Sequence, residues 1–177
     1  MIELLTNLQE TFVGFIEQGG WVLIPIFLVT VVMWTLIIEK FFYLRVTYPK
    51  QVQLLYAEWD KRSDKRSWYA RQIRNQIISE QTEELKRWVP IIKSLIALCP
   101  LLGLLGTVTG MIEVFDVLAI AGSGNARAMA EGVSRATIPT MAGMVAALSG
   151  IYWAARLTRR VDKETSRFAD RLELFHA

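Results

Sequence analysis

The sequence predicts an all-α membrane protein. Three transmembrane helices extend into a cytoplasmic helical bundle, with the N-terminus outside. Three observations lead there. Charged residues vanish between Glu17 and Glu39 (21 positions), between Lys93 and Glu113 (19) and between Arg135 and Arg156 (20). A bilayer core about 30 Å thick takes about 20 helical residues to cross. The basic residues are also one-sided: all 20 Lys and Arg lie from Lys40 onward, 12 of them in Lys40–Lys93 and six in Arg156–Arg171. Positive charge collects on the cytoplasmic side of a membrane protein. Finally, the stretch between the first two gaps has apolar residues at roughly helical intervals and no Gly.

Each element follows in order. In residues 1–18, Leu5, Leu8, Phe12 and Phe15/Ile16 recur at helical spacing, away from most of Glu3, Asn7, Glu10 and Glu17. This predicts a short amphipathic helix, lying on the outer membrane surface or packed on a neighbouring subunit. No basic segment opens the chain, so no cleaved signal peptide is expected. The first transmembrane helix is placed at 19–44. A cytoplasmic helical segment follows at 45–90, with Leu54, Leu55, Trp59, Ile73, Ile77, Ile78, Leu85 and Trp88 as its apolar positions. Pro49 marks a break after the first helix, and Pro90 a start or kink near the second. The second transmembrane helix is placed at 91–120, an outer loop at 121–132, the third helix at 133–157 and a cytoplasmic tail at 158–177.

Bulk composition hides this layout. With 53% hydrophobic and 21% charged residues, the chain looks like a soluble protein on average. What composition does exclude is chemistry. A single Cys, Cys99, leaves no disulfide scaffold or cysteine-built zinc site, and a single His, His176, leaves no His-ligated metal site or catalytic triad. No membrane-embedded acid pair or Ser/Lys dyad appears, so no enzyme, cofactor or metal is expected. Cys99 takes a packing position. Nucleic acid is not an expected partner: Glu58, Asp60, Asp64, Glu80, Glu83 and Glu84 interrupt the basic face, which suits a solvated surface near anionic lipid headgroups.

The membrane helices carry small residues in stripes. Gly103, Gly106 and Gly110 stand at i, i+3 and i+7, and Gly143, Ala146, Ala147 and Gly150 are similarly spaced in the third helix. Such stripes let helix backbones approach where lipid supplies no hydrophobic drive. Thr107 and Thr140 are the notable polar residues. Either each bonds back to its own helix, or copies of the chain present them to a polar passage. Glu113 and Asp116 lie toward the outer end of the second helix, so no carboxylate stands at mid-membrane. A proton route would need one from a partner.

These residues resemble the MotA/TolQ/ExbB family of proton-driven inner-membrane motor proteins. Pro100 through Met111 is similar to the family's second-helix signature. Gly132-Val133-Ser134, Thr140, Gly143-Met144 and Ala147-Leu148 follow its third-helix pattern, and Gly19-Gly20-Trp21 through Glu39-Lys40 fits its first helix. Three spans and a short chain favour the ExbB and TolQ branches over MotA, which has four. ExbB of a TonB system is favoured, with a TolQ-like subunit of the Tol-Pal system or a non-conducting scaffold as alternatives. The resemblance implies a pentamer around an ExbD-like dimer that supplies a membrane Asp, a TonB-like partner, and the inner membrane of a Gram-negative bacterium. It maps pore-lining threonines onto Thr107 and Thr140. Three positions depart from the pattern: Arg135 stands where many members have Glu, Pro139 replaces a Thr, and Ser149 replaces a Pro. Arg cannot relay a proton. Arg135 either pairs with Glu131 at i−4, or with Glu113 or Asp116, or snorkels, or it stands with Glu113 at the outer mouth of the pore.

Overall fold

The computed structural model describes residues 19–62, 64–65, 67–121 and 126–172. The expected helix at 1–18 and His176 lie outside them. The fold is all-helical: α1 (Leu23–Phe42), a π-helical segment (Tyr43–Thr47), α2 (Tyr48–Asp60), α3 (Trp68–Lys86), α4 (Val89–Ala121) and α5 (Ala126–Arg171). Three runs, Leu23–Asp60, Trp68–Ile120 and Met129–Arg171, are long and apolar enough to cross a membrane. Only 22% to 28% of their most apolar windows is buried within the chain, so most of that apolar surface is left for lipid or other subunits. The stretch 126–132, expected as loop, is the first part of α5.

The chain divides into two compact units. One joins the described residues up to Met33 with Ser94–Ile151. Its α1 portion begins after Gly20, which has a positive φ of 70° that a side chain would strain. Pro25 falls in the first turn of α1, where no N–H is missed. Val22, Leu23 and Ile26 form a buried cluster with Leu102, Ile138 and Ala142 against it. On the other faces Ile24, Phe27, Leu28 and Val31 are exposed.

The second unit joins Trp34–Lys93 with the described residues from Tyr152. Trp153 is ringed edge-on by Trp34 at 6.1 Å, Phe41 at 5.7 Å and Tyr152 at 5.6 Å. Lys40 is 5% exposed. Its ammonium donates to the Glu84 carbonyl at 3.0 Å and lies 4.6 Å above the Tyr43 ring. The Tyr43 hydroxyl is 2.9 Å from both a Glu84 carboxylate oxygen and the Gln51 side-chain oxygen. One phenol proton serves one acceptor at a time, and the charged one is stronger.

Pro49 does not end the helix, contrary to the sequence expectation. It sits in the first turn of α2. The preceding residues wind into a π turn, in which the Tyr48 N–H reaches back to the Tyr43 carbonyl. Widening the turn accommodates a proline ring that would crowd the i−4 carbonyl of a regular α-helix. Tyr48 is buried, and its hydroxyl donates to the Glu164 carbonyl at 3.5 Å.

The C-terminal end of α5 is held from both α2 and α3. Tyr56 stacks on Phe168 at 5.5 Å, and the Arg171 guanidinium lies 4.6 Å over Tyr56. Arg74 donates to the Leu172 carbonyl and, at 2.9 Å, to the Ala169 carbonyl. These belong to the last turn, whose carbonyls lack helical donors. Arg74→Ala should therefore lower the melting temperature of the detergent-solubilised protein, at a cost of about 2 kcal/mol. Arg74→Lys should recover only part, because an ammonium lacks the planar fork. An unchanged melting temperature would show that this clamp adds no stability.

Candidate functional site: the seam between α4 and α5

The small residues expected to pack the helices, and Thr140 with them, gather along one seam in the first unit. α4 contributes Gly103, Gly106 and Gly110; α5 contributes Ala136, Pro139, Thr140 and Gly143. At Gly103 an added Cβ would lie 2.9 Å from the Thr140 Cα and 3.0 Å from the Pro139 carbonyl oxygen. At Gly143 it would collide with the Cys99 carbonyl oxygen and come within 3.3 Å of the Gly103 Cα. Both neighbours are backbone, so the helices would have to separate. Gly106 receives the Pro139 ring, and Gly110 faces Ala136. Ala147 and Cys99 are buried in the same unit.

Close approach places a hydroxyl against a backbone. The Thr140 hydroxyl donates to the Gly103 carbonyl at 2.8 Å, crossing from α5 to α4. Thr107, Thr109, Thr137 and Ser149 instead return their hydroxyls to carbonyls of their own helices. The two candidate threonines are thus not equivalent. Thr107 follows the ordinary pattern of an isolated threonine in a helix. Thr140 is committed as a donor across the seam, which leaves its lone pairs available as acceptors.

Pro139 sharpens the site. It is fully buried, and without an N–H it leaves the Arg135 carbonyl without its usual helical donor. Sequence reasoning marked Pro139 only as a departure from a motif. The signal that placed it was available: Gly106 is the small residue that makes room for the ring.

The charged residues lie apart from this seam. Arg135 pairs with Glu131 at 2.9 Å, the i−4 partner among the alternatives the sequence left open. Both side chains are more than half exposed, so the pair is worth well under 1 kcal/mol. Glu113 and Asp116 are exposed on α4. Among the described residues, no group of three or more His, Cys, Asp or Glu could hold a metal ion.

A three-span helical membrane protein with a glycine-lined, hydroxyl-bridged seam is the class that fold and site define. The sequence model of the MotA/TolQ/ExbB proton channel family matches residues 34–170, and the chain belongs to that family. An ExbB-like biopolymer transport protein of Synechocystis is 46% identical over 67 residues, covering 36% of this chain and 26% of the relative. The Tol-Pal system protein TolQ of Haemophilus influenzae is 31% identical over 88 residues, covering 50% and 39%. The biopolymer transport protein exbB1 of Vibrio cholerae is 32% identical over 91 residues, covering 51% and 40%. The matches thus span two fifths or less of these relatives' lengths. No solved structure matches significantly.

Packing should outweigh hydrogen bonding in holding the seam. Gly143→Val should cost about 1–3 kcal/mol through overpacking. Thr140→Val should cost only about 0.6 kcal/mol, typical of a hydrogen bond between membrane helices. Thermal unfolding of both variants in the same detergent tests the order. A larger loss for Thr140→Val would reverse it.

Proposed function

We propose that this chain is an ExbB-like subunit of an inner-membrane, proton-driven motor. On this reading several copies, five by family resemblance, surround an ExbD-like dimer, and a TonB-like protein carries the work to transport across the outer membrane. The observation that carries the reading is the seam itself. Thr140 offers oriented acceptor lone pairs within a span that holds no carboxylate of its own. The titrating group then comes from a partner helix, whose protonated carboxyl would find hydroxyls along its path. The family membership and the ExbB-like relatives support this choice.

The energetics are modest. A proton falling through 100 mV releases about 2.3 kcal/mol, so hydroxyls and water need only keep the barrier low. Thr140 and Thr107 are the proposed lining. Glu113 and Arg135 are proposed to flank the outer mouth, with the basic 45–90 segment and the tail on the cytoplasmic side. Arg135 cannot hand on protons, so its role there is electrostatic.

The TolQ relative supports a second reading, a subunit of a Tol-Pal-type system with a TolR-like partner. Co-purification with an ExbD-like or a TolR-like partner separates the two. A non-conducting scaffold is the third. It would show no partner-dependent proton flux into vesicles under an imposed gradient.

Thr140→Val should block energy-dependent uptake while leaving assembly intact. Thr107→Val should do so more weakly, since its hydroxyl is spent on its own helix. Uptake at the wild-type rate by both variants, at wild-type protein levels in the membrane, would sink the pore assignment.

A further inference from the structure

In the second unit, the start of α3 presents two large aromatic side chains to solvent. Trp68 is 69% exposed and Tyr69 71% exposed, and they meet edge to face at 5.9 Å. The pair is held in place. Ser67 caps the helix by accepting from the Ala70 N–H at 3.1 Å, and Asp64 in turn accepts from the Ser67 N–H at 3.0 Å. Lipid is a poor cover for these rings. Trp68 opens the run that continues to Ile120, and the 19 residues of α3 set it about 28 Å along the helix from the start of α4.

The surrounding charge is unbalanced. Asp60 is paired with Lys65 at 3.2 Å, and Asp64 is engaged with Ser67. Exposed Lys61, Arg62 and Arg71 have no ion-pair partner among the described residues. Arg71 follows Trp68 at i+3, so the two share a helix face. Even with exposed Glu58 and Asp64 set against them, the three cations leave the patch positive. Trp, Tyr and Arg are the side chains most enriched at the energetic centres of protein interfaces.

We propose that Trp68, Tyr69 and Arg71, rimmed by Lys61 and Arg62, dock an acidic segment of a partner protein that carries apolar anchor residues. Its carboxylates pair with the uncommitted cations, and its apolar side chains cover the two rings. Nucleic acid fits less well, because its continuous run of phosphates must lie along Glu58, Asp60 and Asp64 as well as the cations, whereas a short peptide can set single carboxylates against Lys61, Arg62 and Arg71 and its apolar side chains on the rings.

The test uses the full chain in nanodiscs and a labelled twelve-residue peptide of repeated Glu-Glu-Leu-Phe, read by fluorescence anisotropy. Saturable binding is expected, weakened at least about fivefold by Trp68→Ala and comparably by Arg71→Glu, with Trp68→Phe retaining most of it. The peptide with Lys in place of Glu should not bind. The proposal is overturned if the variants bind like wild type, or if the Lys peptide binds equally. It is also overturned if oligothymidine binds the patch in preference to the acidic peptide. A last overturning result is that Trp68→Ala changes only the oligomeric mass and leaves peptide binding untouched, which would assign the patch to a second copy of the chain.

Discussion

Everything in the first unit depends on how closely α4 and α5 approach. In water, apolar side chains drive helices together. In lipid that drive is missing, and contact between backbones must take its place. Gly103 and Gly143 permit this contact because each has only a hydrogen where another residue's Cβ would meet peptide groups of the other helix. Once the backbones are that close, a short threonine side chain can span the gap, and Thr140 reaches the Gly103 carbonyl. The polar feature of the site is thus a by-product of its smallest residues.

The second unit is organised differently. It is held by aromatic rings around Trp153, by the buried Lys40 ammonium on the Glu84 carbonyl, and by the Arg74 fork on the end of α5. These contacts join residues far apart in sequence through polar and aromatic groups, which tolerate water nearby. The contrast matches the division of charge along the chain: the first unit holds the charge-free stretches of α4 and α5, and the second holds most of the Lys and Arg.

Much of this was legible in the sequence. Gaps of 19 to 21 uncharged residues located the three long apolar helices, because length and the absence of charge are all that a span requires. The Arg135–Glu131 pair was legible because i,i+4 geometry is local. What was not legible depended on the third dimension. Thr107 and Thr140 look alike in sequence, yet one bonds within its helix and the other across the seam. The difference is set by which residue, Gly103, stands opposite. Leu54 had the right spacing for a core position but is exposed, since periodicity identifies a face without saying what covers it. Pro49 read as a stop because the rule for proline assumes an α-helix on both sides. A π turn evades that rule.

The π turn has a consequence for ancestry as well as for shape. A π turn holds one residue more than the α turn it replaces, and one residue is worth about 100° of rotation around a helix. The side chains of α2 are therefore out of step with the pattern set by α1. A relative lacking Pro49 could drop a single residue from 43–47 and keep both helical faces in place. Counted by position, two such chains would differ by a deletion in the middle of a helix, usually a disruptive event. Counted by face, nothing would have moved.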